Sequence, residues 1–292
     1  MMGMLATYNG YPAFFFQKSP PDTDRKWTMP CFPRADYNID MKYDPERKVS
    51  GNLTIDVKCT TESKHMPEDF EQRLVNLING AFYTAPERAT VAAVWSRSDA
   101  FDFERTQAVS QAMPEVFGIT IEFDLMEFPA QITTDPDPIQ GLNYWTRVNF
   151  PDMAVIADAE LAPVWKPSDE KPAIYWRFEG TAANDQQSYA VNWYTGKYAA
   201  HVIADSVKAR NAWTKAIAEH IQIDGEIPLI DGSPMFAKQL AIRHNADPLR
   251  EGQLLLTGQY GVLAQHRRES AQIPINRAVL SNMNTEVVHD KK

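Results

Sequence analysis

At 292 residues the chain can bury one large core or two modest ones, and 44% hydrophobic with 23% charged side chains excludes a disordered polymer. A formal net charge of -9 excludes a general nucleic-acid binder, because counterion release needs clustered Lys and Arg. Cys31 and Cys59 are too few for a disulfide scaffold, no secretory leader opens the chain, and the longest apolar run, within Ala13 to Phe16, is far short of a bilayer span, so a protein made inside the cell with no membrane role is expected.

A strand is expected from Pro12 to Phe16. A Pro-rich excursion follows, from Ser19-Pro20-Pro21 through Pro30-Cys31-Phe32-Pro33, too long for a hairpin turn. Its Trp27, Met29 and Phe32 are costly to leave in water, so they pack either on their own domain or on a neighbour. Next, Tyr37, Ile39, Met41 and Tyr43 alternate with polar residues, and after a turn-rich Asp44 to Arg47, Leu53, Ile55, Val57 and Cys59 do the same. This period of two predicts a hairpin with one buried face. Cys59 falls on that face and reads as a small buried hydrophobe.

Pro67-Glu68-Asp69 opens a predicted helix, since proline suits the first helical position and acids complement the dipole. Phe70, Leu74, Leu77, Ile78 and Ala81 share its face, with Gly80 inside its last stretch. Strands are expected over Thr90 to Ser96 and Ile119 to Leu125, the latter closed by Phe128-Pro129, with a polar connection from Ser96 to Gly118 between them.

Asp135-Pro136-Asp137-Pro138 predicts an N-cap and a short helix bearing Leu142, Tyr144, Trp145 and Val148, and Met153 to Ile156 reads as an edge for either sheet. The order then repeats. Pro172 to Trp176 echoes Pro12 to Phe16, Tyr189 to Tyr194 and Tyr198 to Ala204 read as a hairpin around Thr195-Gly196-Lys197, and Ser206 caps a helix with Ala209, Trp213, Ala216, Ile217, His220 and Ile221 on one face. Strands at Met235 to His244 and Gln253 to Leu263 complete it.

The expected class is therefore α+β, with two tandem units of similar order (strand, strand, strand, helix, strand, strand), mainly antiparallel sheets and helical cover. Boundaries follow at 1–131, a linker at 132–165, a second unit at 166–263 and a C-terminal arm at 264–292 with an apolar island at Ala278-Val279-Leu280.

Chemistry is sparse. No Walker loop, dinucleotide-binding glycine pattern, cysteine knuckle or His-Glu-x-x-His segment occurs, and Asp231-Gly232-Ser233-Pro234 is a turn, not a nucleophile elbow. His65, His201, His220, His244, His266 and His289 are scattered. Asp135 and Asp137 read as turn and cap residues, and Arg47 and Lys48 as charges on a hairpin turn. The residues predict no catalytic group, metal or cofactor. An enzyme with a dispersed site and a carbohydrate-binding module are weighed beside a structural protein; the module requires Trp145, Trp165 and Trp193 on one exposed surface.

The segments YPAFFF, YNIDMKYDPERKVSGNLTIDVKC, AAVWSRSDAF, FDLMEFPAQITTDPDP, DGSPMF and LREGQLLLTGQYGVL, across most of residues 10 to 263, resemble tail-completion proteins of tailed bacteriophages and prophages. The resemblance implies a tail-terminator-like neck protein. It would form a ring, usually six-fold, that ends tube polymerisation and joins the tail to the head connector, assembled in the bacterial cytoplasm and retained in the virion. Two tandem halves depart from the simplest terminator, so six chains or three pseudo-six-fold ones fit equally. A distal tail or baseplate protein is the alternative. The partners implied are further copies, the tail tube and the connector, with DNA passing an acidic lumen without sequence-specific contact. Trp27, Met29, Phe32, Arg47, Lys48, Val279 and Leu280 are the candidate assembly contacts.

Overall fold

The computed structural model describes residues 33–263 apart from 62, 86, 104–115, 132, 157–160 and 185–189, together with three short strands nearer the start. Those three are β1 (Thr7–Tyr8), β2 (Tyr11–Pro12) and β3 (Phe14–Phe16). The fold is α+β, with two curled, mostly antiparallel sheets in similarly wired units. The first unit contains β4 (Arg34–Asp40), β5 (Gly51–Thr60), α1 (Pro67–Ile78), β6 (Ala81–Tyr83), β7 (Thr90–Phe103) and β8 (Val116–Phe128). The second contains β11 (Ala173–Ala183), β12 (Val191–Ile203), α3 (Val207–Asp224), β13 (Glu226–Pro228), β14 (Pro234–Ile242) and β15 (Leu254–Leu263). Spatial order is β6-β7-β8-β5-β4 in one sheet and β13-β14-β15-β12-β11 in the other. Each sheet also carries a short parallel edge strand, β3 on β4 and β9 (Ala154–Val155) on β11. The second strand after each helix is bulged, at Trp95/Arg97 in β7 and Ala237/Gln239 in β14.

Local chemistry explains why these stretches form these elements. Pro67 starts α1, where the Asp69 carboxylate accepts from the Met66 N–H at 3.2 Å. Ser206 Oγ accepts from the Ala209 N–H at 3.1 Å to start α3. Both helices end at a left-handed glycine, Gly80 at φ +72° and Gly225 at φ +70°, a conformation that would strain any residue with a Cβ. Gly80 therefore stops α1 instead of lying within it, and Ala81 opens β6. Phe70, Leu74 and Ile78 of α1 sit on Leu53, Ile55, Val57, Cys59, Ile121 and Phe123, each large side chain contributing roughly 2 kcal/mol by leaving water. Ile217, Ala218 and Ile221 of α3 sit likewise on Trp176, Tyr198, Val202, Leu254, Leu256 and Tyr260.

Three sequence expectations change. The Thr195-Gly196-Lys197 hairpin is absent: β12 runs unbroken through Gly196 and pairs with β11 on one side and β15 on the other. Gly196 is needed because a Cβ there would fall 2.0 Å from the Tyr198 hydroxyl, which lies across the strand. The hairpin of β7 and β8 is longer than expected, pairing out to Phe103 and Val116. Finally, β4 stops at Asp40, short of the expected alternation, and Ile39 near its end and Met41 and Tyr43 beyond it are 49%, 46% and 64% exposed. β4 lies near the sheet's edge, and α1 packs over β5, β7 and β8.

The linker is divided between the units. α2 (Pro138–Asn149) and β9 belong to the second unit, where Ile139, Leu142 and Trp145 enter the helix-side core, and α2 touches both β13 at one sheet edge and β9 and β11 at the other. β10 (Val164–Trp165) returns to the first unit and pairs with β6, with Trp165 stacked on Phe82 at 4.8 Å. Lys166 Nζ then bonds the Asn76 and Asn79 carbonyls, both at 2.7 Å, closing the C-terminal end of α1. The chain thus crosses from the first unit to the second, back, and across again.

Candidate functional site

The best-built junction in the described residues is the seam where the two sheets meet on the faces turned away from α1 and α3. β8 brings Met126 and Phe128, β7 Ala92 and β6 Phe82; β11 brings Ala173 and Tyr175, and β12 Ile203. These residues form a third core shared by both units. Phe128 meets the Tyr175 ring edge-on at 5.1 Å. The Tyr175 hydroxyl donates to the Pro129 carbonyl at 2.8 Å and accepts from Gln131 Nε2 at 2.6 Å, while Gln131 Oε1 accepts from the Phe178 N–H at 2.6 Å. The segment leaving β8 is thereby stitched to β11, and burial pushes the Tyr175 phenol upward.

His201 of β12 lies in this shared layer, 1% exposed, with Nδ1 2.8 Å from the Pro248 carbonyl oxygen. Burial, followed by the Arg177 charge, pulls the imidazole down to about 4, so it is neutral at ordinary pH. Next to it, the fully buried Gln253 accepts from the Val202 N–H at 2.8 Å and donates to the Val202 carbonyl at 3.1 Å, completing backbone bonds as a strand neighbour would.

An ionic chain runs along the seam's rim. Asp124, 5% exposed on β8, receives Arg47 from its own unit and Arg250 Nη2 from the other at 3.1 Å. Arg250 also bonds Asp247 at 2.7 Å, and Lys48 pairs with Glu251 across the seam at 2.5 Å. Beside this chain opens a cleft of about 520 Å³, with Tyr43, Lys48 and Met126 on one wall and Arg177, Arg243 and Leu255 on the other. Most of its charges are neutralised in place: Arg177 holds Glu179, and Lys48 keeps Glu251 below the usual carboxylate range. Glu251 is thus an ion-pair member and not a proton donor near neutrality.

Of the assembly candidates, Arg47 and Lys48 are engaged within the chain, in the rim just described. Trp27, Met29, Phe32, Val279 and Leu280 lie outside the described residues. The three tryptophans of the carbohydrate reading do not line up. Trp145 is buried with its indole N–H on Asp224 at 2.8 Å, Trp165 covers Phe82 in the first unit, and Trp193 neighbours Phe236 in the second sheet. Asp137 caps α2 through the Ile139 N–H at 2.9 Å, and Asp231 Oδ1 closes a turn on Ser233, as their sequence context predicts. Cys59 is buried and its thiol is pushed up to about 12, chiefly by burial, so it packs as a hydrophobe. Among the described residues no three His, Cys, Asp or Glu side chains converge to hold a metal, and no helix is long and apolar enough to cross a membrane. In sequence His201 is one of six scattered histidines, and Asp124, Arg250 and Glu251 are ordinary polar residues until a partner from the other unit meets them.

No protein-family model matches this chain, and no curated protein does either.

Proposed function

We propose that this chain is a structural assembly protein of a tailed bacteriophage, a tail-terminator-like ring component joining the tail tube to the head connector. The supporting observation is that two similarly ordered sheets are joined by a shared apolar core and an ionic rim, while Ile39 near the end of β4 and Met41 and Tyr43 just beyond it face solvent. A wall element of a ring needs that combination: stiffness within the chain and apolar strand surface left for neighbours. The resemblance of YPAFFF, FDLMEFPAQITTDPDP and LREGQLLLTGQYGVL to tail-completion proteins favours the neck over the distal tail. Six copies, or three with pseudo-six-fold symmetry, satisfy the geometry of two alike units. Electron microscopy of purified particles, with the chain labelled, tests the reading. Density for a closed ring between head and tail is expected, and absence of the chain from particles ends it.

A further inference from the structure

The assembly reading leaves one buried group unused. The His201 ring lies between Phe128 of the first unit and Tyr175 of the second, with centroids 6.1 and 5.8 Å away. A carbonyl can only accept, so the 2.8 Å contact with Pro248 places the ring's hydrogen on Nδ1. Nε2 then carries a lone pair, and it is buried without a hydrogen-bond partner. A neutral ring tolerates that. A protonated ring would put an N–H and a positive charge in the same place, with no acceptor to receive either.

The charged groups acting on the ring are Arg177 and Glu179 of β11 and Asp247 of the loop after β14. β8 offers Phe128, and the turn before β15 offers Gly252, whose Cβ position lies 3.2 Å from the ring; neither bears a charge. Phe128 and Tyr175, the two aromatic rings His201 touches here, belong to the shared layer and to neither helix-side core. Disturbing this ring therefore loads the seam and spares the units.

We infer that His201 is a proton-operated latch between the two units: neutral, its ring completes the seam; charged, it is driven out and the seam loosens while each unit keeps its own core. Burial and Arg177 outweigh the two carboxylates, so the latch releases between the ordinary histidine value of 6.5 and about 4. That separation corresponds to a fall of roughly 300-fold in the seam's closing equilibrium once protonation is complete.

The test uses the full chain in three forms: wild type, His201→Gln and His201→Phe. The wild-type ring is titrated by its Cε1–H resonance, and amide hydrogen exchange, corrected for its intrinsic pH dependence, is followed from pH 7 to 4. The ring should titrate well below 6.5. The Phe178 amide, which bonds Gln131 across the seam, should lose at least about 100-fold protection while the amides of Ile55 and Leu256 inside the sheets keep theirs. The glutamine variant, which stays neutral yet can still donate to Pro248, should hold seam protection within about threefold. A wild-type ring titrating near 6.5 in the folded chain overturns the latch, and that readout needs no variant to fold. Equal acid loss in the glutamine or phenylalanine variant also overturns it, because the response then does not come from His201.

Discussion

The two units have one wiring and two different surfaces. In the second, the helix-facing side of β11 is roofed: Trp176 is fully buried, and its indole N–H reaches Thr146 of α2 at 3.0 Å. Past its bulge β11 continues as Gly180 to Ala183, small or polar residues suited to water. In the first unit the far part of β4 and its continuation carry Ile39, Met41 and Tyr43 at an edge that neither α1 nor any other described helix roofs. The order of strands is thus set by alternation, caps and helix-ending glycines, which both units possess. What each unit shows to the outside is set by segments added at the edges.

The contrast can be broken most severely at the roof. Trp176→Ala should cost about 4 kcal/mol, because it opens a large cavity and removes the indole's bond to Thr146; urea unfolding followed by near-UV dichroism measures it. The pH response comes next. The unfolded chain binds the His201 proton near pH 6.5 and the folded chain near 4, so stability is intact above 6.5 and declines as pH falls through that window. The decline should total about 3 kcal/mol, read as the difference between wild type and His201→Gln in unfolding at pH 7 and pH 4.

Asp124→Asn should cost about 2 kcal/mol, since two guanidiniums from different units lose a nearly buried carboxylate, and the loss should appear in seam amide exchange before global melting. Ser206→Ala should cost about 1 kcal/mol in thermal unfolding, whereas Met66→Ala should change little, because only α3 is capped by a side-chain hydroxyl. Least affected should be Met41→Ser in the exposed strip, within about 0.5 kcal/mol of wild type by unfolding. If the strip serves contacts between copies, the same change lowers self-association in sedimentation velocity.

Much of the architecture is written locally. Pro67, Asp137 and Ser206 mark helix starts through backbone chemistry that acts over three residues, and alternation in β5, β8 and β15 marks buried faces. The failures have physical causes as well. Gly196 looks like a turn because glycine permits one, yet here its missing side chain makes room for a tyrosine two residues on. β6 and β13, three residues each, are too short to show a period. The seam was illegible for a different reason. Asp124 and Arg250 stand 126 positions apart, and nothing in either neighbourhood announces the other. Tertiary approach creates that pair, as it creates the enclosed His201.

The path of the chain through the units sets the timetable of its birth. When the ribosome has released residues 1–131, the first sheet still lacks β10, and Phe82 has no indole over it until Trp165 emerges. By then α2 and β9 are already out, with β11 not yet made to receive them. Neither half can be finished and set aside before the other begins; a nascent chain must hold both open at once, and a halt in translation between these points would strand two unfinished cores instead of one.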